Sequence, residues 1–179
     1  MAARRRTLTP IVAISGPSGV GKTRLITRLI RLLRRRGVAV AVLKHTGHRH
    51  DFDQPGKDTG LFRRAGAVAS AIQGPVGLAL FAPPRGGVRE LASLLPPCDL
   101  ILAEGWRGAS LPRVEVHRRE IAPAFLCATD RRVFALVGDE PPPRPLPAFS
   151  PDRLGPLADL LMARFLGPRR RRRTAARGS

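Results

Sequence analysis

Tyrosine is absent from this 179-residue chain, tryptophan occurs once and phenylalanine seven times, so aromatic side chains make up only 4% of it. Stacking of nucleic-acid bases needs interleaved aromatics, and no nucleic-acid-binding motif stands in for them. Sequence-specific nucleic-acid binding is therefore not expected. The two cysteines, Cys98 and Cys127, are too few for a disulfide scaffold and lack metal-site spacing. Each lies in or beside an apolar run and reads as a small buried hydrophobe of a reduced compartment. No apolar run approaches the length of a membrane span. No apolar signal core follows Arg4-Arg5-Arg6 either, so a cytoplasmic protein without a membrane partner is expected.

Acidic residues are also scarce, 13 against 32 lysines and arginines, for a net charge of +19. Nine of the arginines lie in residues 1–9 and 168–179, which contain no acid. These two ends, with the run Arg169–Arg173, read as basic disordered tails flanking a single domain over residues 10–167. Arginine outnumbers lysine 29 to 3 in a chain rich in Ala, Gly and Pro, the mark of a coding bias that makes the high charge weak evidence about partners. All three lysines, Lys22, Lys44 and Lys57, fall in segments with functional character. There a compact, flexible ammonium is the property retained.

What the chain does have is Gly16-Pro17-Ser18-Gly19-Val20-Gly21-Lys22-Thr23, the phosphate-binding (Walker A) pattern G-x-x-x-x-G-K-[ST]. It follows the apolar run 10–15, a buried strand by its composition, and a helical pattern begins at the lysine. Backbone N–H groups of the loop Gly16–Thr23, Pro17 apart, continuing to Arg24 at the helix start, can cradle phosphates. Lys22, expected to face solvent, reaches the β/γ-phosphates, and Thr23 can ligate Mg²⁺.

Residues 24–36 carry Leu25, Ile26, Leu29, Ile30, Leu32 and Leu33 at helical spacing with arginines opposite. Val38–Leu43 is a continuous apolar strand, and a short helix is expected over 57–65. Strands are expected at 68–73 and 76–82, split by Gly74-Pro75, and a helix over 88–95. An apolar strand follows at 99–103, an edge or late strand at 113–117 and a last core strand at 132–137. Pro141–Pro147 is an extended connection. Ser150-Pro151 reads as the capped start of a closing helix carrying Leu154, Leu157, Leu160, Leu161 and Phe165. The alternation predicts an α/β, three-layer P-loop NTPase fold, a mostly parallel sheet with helices on both faces.

Two further segments carry chemistry. Asp99-Leu100-Ile101-Leu102-Ala103-Glu104-Gly105 delivers a carboxylate at a strand end, where Glu104 can hold a Mg²⁺ ligand water or polarise an attacking one. Lys22 and Glu104 are thus the candidate catalytic residues, and Thr23 and Glu104 the candidate metal ligands. Residues 44–59, Lys-His-Thr-Gly-His-Arg-His-Asp-Phe-Asp-Gln-Pro-Gly-Lys-Asp-Thr, leave the same sheet edge. This loop is read as presenting cations and carboxylates to a nucleotide or substrate, with a transition-metal site or a plain solvated loop as the alternatives.

Taken together, Ser15–Thr23, Lys44–Thr59, Arg64–Ala67, Asp99–Trp106 and Pro112–Arg118 resemble, in order and over residues 10–140, the molybdopterin-guanine dinucleotide biosynthesis protein B (MobB) family. The long KHT…PGKDT element is the specific part. The resemblance implies a homodimeric GTP- and Mg²⁺-binding protein that assists a MobA-like guanylyltransferase in attaching GMP to molybdopterin. It carries nucleotide or substrate contacts onto His45, Asp53, Lys57 and Asp58, besides the phosphate loop and Glu104, and Asp139 stands where the family often shows Ser-Asp. Gly47 and Arg49 depart from the family's usual histidine and aspartate, which weakens a metal-binding version of the loop. Slow hydrolysis at most is expected, because no Gln or second acid is placed to orient water. The alternatives are a small-molecule kinase and a nickel-type metallochaperone GTPase. The guanine-selective Asn-Lys-x-Asp motif is missing, so base preference rests on the resemblance.

Overall fold

The computed structural model describes residues 8–47, 56–83 and 86–167. Its strands are β1 (Ile11–Ser15), β2 (Val40–Lys44), β3 (Ser70–Gly74), β4 (Gly77–Phe81), β5 (Leu100–Glu104), β6 (Arg113–Val116), β7 (Val133–Val137) and β8 (Ala148–Phe149). The helices are α1 (Lys22–Arg35), α2 (Asp58–Arg64), α3 (Val88–Ser93) and α4 (Gly155–Phe165), with a 3₁₀ turn at Leu126–Ala128. Six strands form one sheet in the order β2-β5-β1-β6-β7-β8, and every neighbouring pair is parallel. Every residue of β1 is buried, as the continuous apolar run requires of a strand covered on both faces.

Alternate residues divide the core in two. Val12 and Ile14, with Leu100, Leu102, Val114 and Val116, pack under α1 and α4. Ile11 and Ala13, with Ile101, Ala103 and Leu43, pack on the other face against Val88 of α3. This is the expected three-layer arrangement. The parity also places Ser15, Arg113 and Glu115 on the face opposite α1.

Several expectations need correction. Of the two readings for residues 113–117, a late strand is found, β6, but not an edge one: it lies between β1 and β7 and is buried throughout. Its alternation arises because the polar positions, Arg113 and Glu115, are buried and satisfied rather than solvated. The strands expected at 68–73 and 76–82 exist, but they pair only with each other, as an antiparallel hairpin apart from the main sheet. After β7 comes a further short strand, β8, in register with Leu136 and Val137. The closing helix starts at Gly155, not at Ser150. The Ser150 hydroxyl instead accepts from Asp152 N–H at 3.2 Å, a local turn that competes with helix capping.

Candidate functional site

The loop between β1 and α1 lies at the carboxyl edge of the sheet, where open α/β sheets receive ligands. Gly16 has φ +142° and a Cβ there would overlap the carbonyl oxygen of Val116, so only glycine lets this loop leave the sheet so close to β6. Lys22 does not face solvent as expected. Its Nζ donates to the carbonyl of Pro17 at 2.6 Å, and burial pushes the ammonium below its usual value, opposed by Glu104 and reinforced by Arg107 and Lys44. The lysine is thus held over the first half of the loop with two other cations in its field.

Thr23, in the first turn of α1, donates from Oγ1 to Glu104 Oε2 at 3.0 Å. The register explains the meeting: Ile14 lies beside Glu104 in the β1–β5 ladder, so the carboxylate emerges next to the loop. Two hard oxygen donors at one point suit Mg²⁺, which takes a protein carboxylate or hydroxyl together with water and phosphate oxygens. Gly105, with φ +86°, allows the carbonyl of His45 to approach so closely that a Cβ would overlap it. That contact, with His45 N–H donating to the Glu104 backbone carbonyl at 2.8 Å, brings the chain after β2 against the end of β5. The His45 ring lies 5.0 Å from the Trp106 ring, centroid to centroid.

The rest of the expected set is dispersed. Lys57 precedes α2 and Asp58 begins it, both exposed, and among the described residues no hydrogen bond or ion pair ties either to the phosphate loop. Asp53, with His48 and His50, lies outside the described residues, as do the basic segments 1–7 and 168–179. Among the described residues no group of three metal-ligating side chains forms.

Asp139 is reached by a different route. It follows β7 and lines a cavity of about 290 Å³ with Val20, Gly21, Arg24, Arg28 and Asp152. Arg28 secures the far wall: its guanidinium donates to the carbonyls of Pro151 and Asp152 and stands 3.7 Å from Asp152 Oδ1. Neither Arg28 nor Asp152 was anticipated, because residues 28 and 152 meet only through the packing of the segment before α4 on α1. The site therefore has a direction. A nucleotide laid along the loop would have its terminal phosphates by Lys22, over Pro17, and its nucleoside toward the cavity beside Gly21 and Arg24.

The buried polar face of β6 has no signature in the sequence. Arg113 is 1% exposed, with Nη1 donating to Ser15 Oγ at 3.1 Å and the Trp106 carbonyl at 3.2 Å. Its Nη2 donates to the carbonyls of Arg107, at 2.7 Å, and Ala109. Its Nε lies 3.2 Å from Asp130 Oδ2, an ion pair by distance that lacks the alignment of a hydrogen bond. Glu115 accepts from Leu126 N–H and Cys127 N–H, both at 2.7 Å, and so anchors the 3₁₀ turn. Burial, reinforced by Glu115, pushes the Cys127 thiol up to about 11, consistent with an inert core cysteine.

Comparison with known proteins agrees with this architecture. Residues 11–139 match the family model for molybdopterin guanine dinucleotide synthesis protein B. The molybdopterin-guanine dinucleotide biosynthesis adapter protein of Escherichia coli (strain K12) is 33% identical over 144 residues, covering 76% of this chain and 82% of that one. The adapter protein of the same name from Haemophilus influenzae is 31% identical over 136 residues, 74% of this chain and 76% of the relative. The crystal structure of Bacillus subtilis MobB superposes with a TM-score of 0.68 at 26% identity, covering 89% of this chain and 99% of that one.

Proposed function

The chain belongs to the molybdopterin guanine dinucleotide synthesis protein B family, and from that membership we propose that it is a GTP- and Mg²⁺-binding adapter in molybdenum cofactor biosynthesis. In this reading it assists a MobA-like guanylyltransferase in converting molybdopterin to its guanine dinucleotide form, in the cytoplasm. The observation that carries it is the paired site, Lys22 over Pro17 and Thr23 on Glu104, in a chain whose curated relatives are named adapters. Those names favour the adapter over a kinase or a metallochaperone.

Each residue has a physical task. The loop from Gly16 to Thr23, with Arg24, binds the phosphates through its backbone N–H groups, and Lys22 neutralises their terminal charge. Thr23 and Glu104 hold Mg²⁺, which draws the β- and γ-phosphate oxygens together and offsets their charge. Asp139 and Asp152 face the nucleoside end. A carboxylate there can accept from guanine N1–H and the 2-amino group together, whereas adenine N1 is itself an acceptor and would be left opposing it. This supports GTP over ATP without an Asn-Lys-x-Asp motif. Lys57, Asp58 and, in the segment outside the described residues, Asp53 would meet the partner or the pterin substrate, and His45 braces Glu104.

The deciding experiment is guanylation of molybdopterin at limiting GTP. The yield with the guanylyltransferase is expected to rise when this protein is added, and to fall back toward the partner-alone value with Lys57→Ala or Asp58→Ala. On its own the protein should turn GTP over slowly. Fast hydrolysis without the partner, or phosphorylation of a small alcohol, would contradict the adapter reading.

A homodimer is part of the proposal, and the β3–β4 hairpin supports it. Leu78 and Leu80 share one face of the hairpin and are 71% and 53% exposed. Arg63 of α2 lies over Phe81, whose side chain is on the other face. A two-stranded ribbon with a bare apolar face is marginal alone and invites a second copy. The double variant Leu78→Arg/Leu80→Arg is expected to sediment as a folded monomer, since paired like charges on a shared face oppose association. A dimer persisting at micromolar concentration would exclude this face as the interface.

A further inference from the structure

A second cavity, of about 470 Å³, opens on the other side of the phosphate loop, lined by Ser15, Gly16 and Pro17 from the loop, by Arg107 and Arg132, and by Phe125 among an apolar wall. Its position follows from the parity of the sheet. Ser15 and Arg113 point away from α1, so this cavity lies on the opposite face from the one that holds Asp139 and Asp152. Because Lys22 rests on Pro17, the cavity adjoins the terminal-phosphate end of the loop.

Three arginines and one aspartate line it, and their pairing is unequal. Asp130 accepts from Arg132 at 2.8 Å and pairs with the buried Arg113 at 3.2 Å, and the Arg132 hydrogen bond holds its carboxyl below the usual range. The guanidinium of Arg107, which is exposed, makes no hydrogen bond or ion pair among the described residues, and its charge reaches Lys22. Its backbone is held firmly all the same, because Arg113 donates to the Arg107 carbonyl and to those of Trp106 and Ala109. A rigidly based, uncompensated guanidinium beside a phosphate loop is suited to bidentate capture of a phosphate dianion. The wall formed by exposed Ala124 and half-buried Phe125 and Leu126 would in turn accept an apolar or ring-bearing body.

We propose that this cavity is a second ligand site, separate from the nucleotide pocket, that binds an organic phosphate monoester with Arg107 on the phosphate and the 124–126 wall on its body. Site and phosphate loop share Gly16 and Pro17, so the second ligand would sit end-on to the terminal phosphate of a bound nucleotide. This would put two phosphate-bearing ligands on one protein, an arrangement that suits an adapter in a nucleotidyl transfer. In that respect it rests on the proposed function.

The test uses 4-nitrophenyl phosphate as the probe, titrated by calorimetry into the full chain, free and saturated with Mg·GDP. The probe is expected to bind both forms with one site per chain. Arg107→Ala should weaken it on the order of tenfold while GDP affinity moves less than about threefold, and Arg107→Lys should recover only part of the loss. Lys22→Ala should lower nucleotide affinity and leave the probe in place, so a failure of the nucleotide reading and a failure of this one give different results. Competition between probe and GDP, or probe affinity unchanged in Arg107→Ala, would overturn the second site.

Discussion

Lys22→Ala is expected to lower triphosphate affinity by about tenfold or more, roughly 1.4 kcal/mol or above, in a protein that remains folded. The ammonium is the only charged group that residues 16–23 supply, and in the free protein it is already held on the Pro17 carbonyl, where the proposed function puts the terminal phosphates. Binding therefore exchanges one acceptor for a more highly charged one and spends little on ordering the side chain. Burial pushes its pKa down, reinforced by Arg107 and Lys44 and opposed by Glu104. The fold should survive because the lost Lys22–Pro17 bond is a single part-buried contact, worth about 1 kcal/mol. Equilibrium titration with GTP, alongside a thermal melt, separates the two effects. Unchanged affinity in a folded variant would remove the phosphate-loop assignment.

Arg113→Leu is expected to be among the most destabilising single changes in the chain, by about 3–5 kcal/mol, for which a melting-temperature drop on the order of 10 °C is appropriate at this size. Replacement of a whole buried ion pair by hydrophobes can be neutral, but here only one partner would go. Asp130 would keep Arg132 alone, the Arg107 carbonyl would lose its donor, those of Trp106 and Ala109 would keep only their weaker local donors, and Ser15 Oγ would lose its contact at 3.1 Å. Unpaired buried acceptors carry their full desolvation cost. Because these carbonyls belong to the turn after Glu104, the variant should also loosen that turn and expose its amides to hydrogen exchange. A melt lowered by less than about 3 °C would show that Arg113 is dispensable to the fold.

These two residues differ in how legible they were. Lys22 announces itself because its chemistry is contiguous: eight successive residues make the loop, and a strand and a helix on either side are read from apolar runs and spacing alone. Glu104 is nearly as plain, a carboxylate ending an apolar strand. Arg113 gives no such signal. Its neighbours Val114 and Val116 alternate with Arg113 and Glu115 as they would on a half-solvated edge strand, and periodicity cannot tell a solvated polar residue from a buried one whose partners lie elsewhere in the chain. The hairpin had the same ambiguity, since residues 70–74 and 77–81 have strand character whether or not they join the main sheet.

By itself, then, the sequence determined the phosphate loop, the carboxylate strand, the α/β class and the family, all properties written in short contiguous segments. Tertiary structure alone decided that β6 is central, that the hairpin stands apart with Leu78 and Leu80 exposed, and that the two cavities flank the loop on opposite faces of the sheet. The division has one physical cause. Local backbone and hydropathy preferences act over a few residues, whereas the meeting of Arg28 with Asp152, or of Arg113 with Asp130 and the turn after Glu104, depends on long-range packing that fixes which buried polar group finds which partner.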